Sequence, residues 1–130
     1  MNEDVRVPTS PGRQPSDLLG FFDRLDQLVA ASTIVVDRPR GQPHPRFPDV
    51  IYPLDYGHLD STSSGDGEGI DMFLGSAAGV GVCGVLLTAD LVKRDVEIKV
   101  LIDCTEEEVT RTQGLLRDQL QIGGHLVRRP

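Results

Sequence analysis

Apolar positions in this chain follow two periods, and the change from one to the other predicts its elements. Leu18, Phe21, Phe22, Leu25, Leu28 and Val29 recur at helical spacing. Ser16 stands before them as an N-cap, with Asp17 in the first turn. Strands are expected at Thr33–Arg38, Ile51–Leu54, Ile70–Gly75 and Gly79–Leu87, the last bending at a glycine. Asp95–Asp103 alternates most regularly, with Val96, Ile98, Val100 and Ile102 on one face and Asp95, Glu97, Lys99 and Leu101 on the other. Thr105 followed by Glu108 forms a capping box. It opens a final helix through Val109, Gln113, Leu116 and Leu120, which Gly123-Gly124 ends. Residues 39–48, with four prolines, and the polar, glycine-rich residues 60–69 are loops. Five short strands with a helix at each end predict an α+β, mainly β domain: a small closed or partly closed barrel. Residues 1–15, proline-rich and poor in apolar side chains, are expected to be a mobile arm before a domain at 16–130.

Composition narrows the function classes. At 130 residues the chain is expected to be one domain with one core. With 38% hydrophobic and 25% charged residues it reads as globular. It has no apolar run long enough to span a membrane and no apolar signal segment near Met1, so the expected compartment is the cytoplasm. A net charge of −7 opposes nucleic acid and favours divalent cations. Cys83 and Cys104 do not form a Cys-x-x-Cys pair, and Cys83 is expected in the core.

Three constellations carry candidate chemistry. Asp66, Glu68 and Asp71 are spaced by glycines that let the backbone fold their oxygens toward one ion. Such hard donors suit Mg²⁺ or Mn²⁺, although a solvated turn has the same composition. On the polar strand face, Asp95, Glu97 and Lys99 read either as a metal ligand beside a phosphate-binding lysine or as a solvent-facing edge. Tyr52 and Tyr56, the only tyrosines, can offer phenols to phosphate or pack a corner of the fold. Arg38, Arg40, Arg46, Lys93 and Arg94 are nearby cations, each more commonly a surface charge. His44 and His58 lack a Ser or Cys nucleophile partner for a hydrolase triad.

Taken in order, these segments resemble the soluble inorganic pyrophosphatases. Tyr52-Pro-x-x-Tyr56-Gly57, then Thr62, then Asp66-Gly67-Glu68-Gly69-Ile70-Asp71, are similar to that family's Tyr-Pro-x-x-Tyr-Gly segment and its Asp-x-Asp-x-x-Asp signature. Val36-Asp37-Arg38 resembles its Val-Asp-Arg strand, and Asp95-x-Glu97-x-Lys99 its Asp-x-Lys strand. The run Asp37 to Pro45 resembles a short, divergent branch reading Asp-Arg-Pro-x-Gly-x-x-His-Pro. The resemblance covers residues 33–103 and implies a five-stranded, OB-like barrel with helices packed outside. It further implies Mg²⁺-dependent hydrolysis of pyrophosphate, with Mn²⁺ as a substitute. Metal would be held by Asp66, Asp71 and Glu97, and water activated at Glu68. Phosphate would be held by Arg38, Tyr52, Tyr56 and Lys99, with Tyr56 and Lys99 also acting in catalysis beside Glu68.

Two departures from the family pattern leave an alternative open. Glu68 replaces the central Asp of the signature, and no Lys-x-Glu pair precedes Val36 nor any Tyr-Lys pair follows Lys99. The alternative is a barrel that binds metal or phosphate with weak or no catalysis; an OB-type nucleic-acid binder ranks last, given the charge and few aromatics. The helix after Ser16 is amphipathic enough to pack against a second copy.

Overall fold

The computed structural model describes residues 13–65 and 67–130. Its elements are helix α1 (Arg13–Ala30), strands β1 (Ile34–Arg38), β2 (Asp55–Leu59), β3 (Ile70–Leu74), β4 (Val82–Asp90) and β5 (Asp95–Ile102), helix α2 (Glu106–Gly114) with a π-helical turn (Leu115–Gln119), and strand β6 (Gly123–Arg128). The first twelve residues of the expected arm lie outside the described residues. Helix α1 begins inside the arm, at Arg13 rather than after Ser16. Pro15 then falls in the first turn, where its missing N–H leaves no helical bond unmade.

The six strands form one open sheet in the order β1-β2-β3-β5-β4-β6. The α+β, mainly β class holds, but in place of a closed or partly closed five-stranded barrel there is an open six-stranded sheet: β1 and β6 are its opposite edges, and among the described residues no pairing joins them. Two strands escaped the hydrophobic pattern. Ile51 makes one isolated bridge with Pro43, and the strand lies instead at Asp55–Leu59, where polar side chains and a central glycine hide it. Gly123-Gly124 does not close the C-terminus but opens β6, so the chain ends in a strand packed on β4. The helix before it stops at a π turn, in which the Leu120 amide reaches back to the Leu115 carbonyl.

β3 and β5 run parallel, with Met72 opposite Val100 and Phe73 opposite Leu101; the other strand pairs are antiparallel. Alternation sends neighbouring residues to opposite faces, so one sheet carries two apolar layers. Met72, Val85, Val100 and Ile102 pack against Phe22 and Leu25 of α1. Phe73, Leu86 and Leu101 pack on the other face against Val109 of α2 and Leu115 and Leu116 of the π turn. The single core expected from the chain's length is thus split by the sheet.

The apolar stripe of α1 is wider than its seat: Phe22 is fully buried, but Phe21 stays 42% exposed. Asp26 fixes the helix by accepting from the Val82 amide at 2.9 Å and pairing with Arg129 just beyond β6. The capping box forms as expected, with Glu108 Oε1 accepting from the Thr105 amide at 2.9 Å and Thr105 Oγ1 from the Glu108 amide at 3.2 Å. The same carboxylate also takes the Ser76 amide, joining α2 to the turn after β3.

At Gly57 in β2, an added Cβ would lie 1.8 Å from the Val35 carbonyl oxygen of β1. Gly57→Ala is expected to lower stability by at least about 2 kcal/mol, read from the urea midpoint, because backbone must move to admit the methyl. Burial opposes ionisation of Glu108, but its amide bonds from Thr105 and Ser76 outweigh this and hold its pKa below the usual value. The stability it supplies is complete above the ordinary carboxylate pKa and is lost as pH falls through the lowered folded value. Glu108→Gln should therefore flatten the acid limb of the stability–pH curve.

Candidate active site

The parallel β3–β5 pairing brings together side chains from three strands. Lys99 lies two residues before Leu101 on β5 and so faces the α2 side; Asp71 precedes Phe73 in the same way on β3. The β2–β3 register sets Tyr56 opposite Phe73 and His58 opposite Asp71. The Lys99 ammonium, 6% exposed as a residue, donates to Tyr56 Oη at 3.0 Å, Asp71 Oδ2 at 2.9 Å and Glu97 Oε1 at 3.0 Å. An ammonium has three N–H donors, and all three are used.

The electrostatics follow from this packing. Burial pushes the Lys99 pKa down, but the Tyr56 phenol, once ionised, and the Asp71 carboxylate push it up further, so Lys99 stays charged. Burial raises the Tyr56 phenol to about 12 against the pull of Lys99, so it remains a neutral donor. Burial also raises Glu97; Lys99 offsets part of this, while the nearby Asp71 charge adds to it.

A cavity of about 290 Å³ opens beside Lys99. Arg38, Arg46, Lys93 and Lys99 line it, opposed by one carboxylate, Asp90. The Arg38 guanidinium lies 5.6 Å from the Tyr52 ring centre and 5.5 Å from that of Tyr56, and it donates to the Tyr52 hydroxyl. The two tyrosine rings stack at 5.5 Å, and Tyr52 stacks in turn on His44. Tyr52 packs as the second reading expects: it is buried in the core, and its oxygen accepts from Arg38.

Arg38 reaches the cavity because β1 contains a bulge between Val36 and Arg38. Asp37, the extra residue, pairs with His58 Nδ1 at 2.8 Å. That hydrogen bond, against slight desolvation and with help from nearby carboxylates, raises the pKa of His58.

Of the expected site residues, the structure joins Tyr56, Asp71, Glu97 and Lys99 directly, with Arg38 and Tyr52 on the adjoining wall. Asp66 lies outside the described residues. Glu68 is exposed on the loop before β3. Asp95 pairs with Asp90 across the β4–β5 hairpin, away from Lys99. Among the described residues, no three His, Cys, Asp or Glu side chains gather at metal-binding distance. Asp71 and Glu97 nevertheless converge on a single cation, Lys99, and their hard oxygens are the donor type Mg²⁺ takes. They supply two oxygens of that type.

His44, Arg46, Phe47, Asp90 and Lys93 complete the cavity; the sequence marks Arg46 and Lys93 only as nearby cations and gives no sign of Phe47 or Asp90. They come from the 39–51 loop and the β4–β5 turn, whose direction is set by tertiary contacts rather than by any local spacing. Cys83 and Cys104 also meet: the Cys104 amide donates to Cys83 Sγ at 3.2 Å. Cys83 is only half-buried, while burial, helped by Cys83, raises the Cys104 thiol to about 12.

Removing the ammonium leaves two carboxylates facing each other. Lys99→Met should cost about 3 kcal/mol of stability, the low end for a broken buried pair because Asp71 remains partly exposed. Millimolar Mg²⁺ should raise the Tm of this variant more than that of the wild type, as measured by calorimetry.

No protein-family model matches the chain, and no curated protein matches it. Solved structures do. The inorganic pyrophosphatase of Coxiella burnetii superposes with a TM-score of 0.52 at 15% identity, over 73% of this chain and 82% of that one. The Thermus thermophilus inorganic pyrophosphatase gives 0.49 at 21% identity, over 72% and 78%. That of Neisseria gonorrhoeae gives 0.49 at 19%, over 70% and 76%. On the Coxiella superposition, the chain has a pyrophosphatase-like fold.

Proposed function

We propose that this chain is a hydrolase that cleaves inorganic pyrophosphate to two phosphates, through a domain spanning 16–130. The observation that carries this reading is the meeting of Tyr56, Asp71, Glu97 and Lys99 on three strands, beside a cavity where four cations face one carboxylate. Pyrophosphate is a compact polyanion, and guanidinium forks and ammonium groups match its oxygens.

Asp66, Asp71 and Glu97 would hold Mg²⁺, with Mn²⁺ as a substitute. When bound, the cation would supply Lewis-acid charge that makes water a better nucleophile and screens the phosphates. Arg38, held by the tyrosine stack, binds phosphate oxygens at the cavity wall. Tyr56, neutral at physiological pH, donates its phenol. Glu68 accepts the proton of the attacking water. The water oxygen bonds to one phosphorus, and the bridging oxygen leaves with the electron pair of the broken P–O bond. Lys99 neutralises the departing phosphate, but its donors are all committed, so a phosphate oxygen reaches it only in exchange for one of its three partners.

That commitment supports the second reading, a catalytically weak or inactive phosphate-binding domain of the same fold. The ammonium occupies the point between the two carboxylates and competes there with a metal ion.

Phosphate release from pyrophosphate with Mg²⁺, then Mn²⁺, separates the two. Turnover that falls at least about 100-fold in Asp71→Asn and in Glu68→Gln supports the hydrolase. Calorimetric binding of pyrophosphate without turnover selects the second reading.

The cavity also makes a pH prediction. Burial first, then the charges of Arg38 and Arg46, hold the His44 pKa below its ordinary value. Its Nδ1 accepts from the Arg46 amide at 3.0 Å, as a neutral ring does. An anion bound among these arginines would screen their charge, so inorganic phosphate should raise the His44 pKa in an NMR titration. An unchanged His44 would place the phosphate elsewhere.

A further inference from the structure

Inorganic pyrophosphate has no carbon, yet much of the cavity beside Lys99 is apolar. Phe73, Leu116, Leu120 and Ile122 face the same space as the cations. Leu116 comes from the π turn, and Leu120 and Ile122 follow it, so the widened turn presents aliphatic side chains to the site. A volume of about 290 Å³ stands at the lower edge of the roughly 300–1,000 Å³ typical of pockets for organic ligands.

The mouth carries a flat aromatic surface. Phe47 is 49% exposed at the tip of the 39–51 loop, with His44 5.1 Å from its ring centre and the Arg46 guanidinium 5.8 Å away. Pro45 and Pro48 bracket Arg46-Phe47 and remove backbone freedom. The Val50 amide donates to the Phe47 carbonyl at 2.9 Å and the His44 amide to the Val50 carbonyl at 2.8 Å, so the loop is braced from within. A ring held this way loses little entropy when another ring covers it, and rings flanked by arginine are stacking platforms for bases.

We propose that the substrate of this site is an organic diphosphate bearing a planar group, of the class of the nucleoside 5′-diphosphates. Its phosphates lie among Arg38, Arg46, Lys93 and Lys99, and its base lies on Phe47 and His44. The proposal rests on the hydrolase reading above. Water adds to the terminal phosphorus, the bridging P–O bond breaks, and its oxygen keeps the electron pair. The products are a nucleoside monophosphate and inorganic phosphate, and the proton lost by water passes to Glu68 and then to solvent.

The test measures phosphate release by the full chain with Mg²⁺ from adenosine diphosphate and from pyrophosphate, for wild type, Phe47→Ala and Phe47→Tyr. The expected result is a kcat/KM for the nucleotide at least equal to that for pyrophosphate. Phe47→Ala should lower the nucleotide-to-pyrophosphate ratio about tenfold, and Phe47→Tyr should restore it. Turnover of pyrophosphate but not of the nucleotide overturns this inference and leaves the hydrolase reading intact. A ratio unchanged in Phe47→Ala also overturns it. Turnover of neither compound overturns the hydrolase reading, and the inference with it.

Discussion

The buried ammonium of Lys99 is the constraint on which the rest of the site depends. A charge removed from water is tolerated only where its donors are met, and the acceptors here come from β2, β3 and β5 itself. Asp71 and Lys99 are 28 residues apart in the chain, and the parallel β3–β5 register makes them neighbours. The site is thus a product of sheet topology more than of any single motif.

Lys99 also divides the site chemically. On one side are the carboxylates of Asp71 and Glu97; on the other, the cavity is cationic. A cation drawn to the carboxylates and an anion drawn to the arginines would each loosen part of the ammonium's present coordination. Their binding would then be linked through one group: whichever arrived first would lower the cost of the exchange the other requires.

The sequence made some parts of this legible. The clean alternation of Asp95–Asp103 and the Thr105/Glu108 capping box depend on local geometry, and both appear where the spacing put them. β2 and β6 did not show, because each is held by its neighbours rather than by propensity: Gly57 fits β2 tightly under β1, and β6 opens with two glycines. Tyr56, Asp71, Glu97 and Lys99 could be grouped through the order of their motifs. Arg46, Phe47 and Lys93 could not, since nothing in a proline-rich loop or a hairpin turn states which way it folds. Spacing within the acidic loop cannot show that Lys99, from β5, lies between Asp71 and Glu97.

The bulge in β1 has a consequence for how this surface can change. In a regular strand, consecutive side chains are assigned to opposite faces, so a site can recruit only every second residue. By absorbing one residue between Val36 and Arg38, β1 presents Asp37 to His58 and Arg38 to the tyrosines from adjacent positions in the chain. An acidic function and a basic one are thereby encoded side by side, and deleting Asp37 would remove the first while leaving Arg38 in register opposite Tyr56.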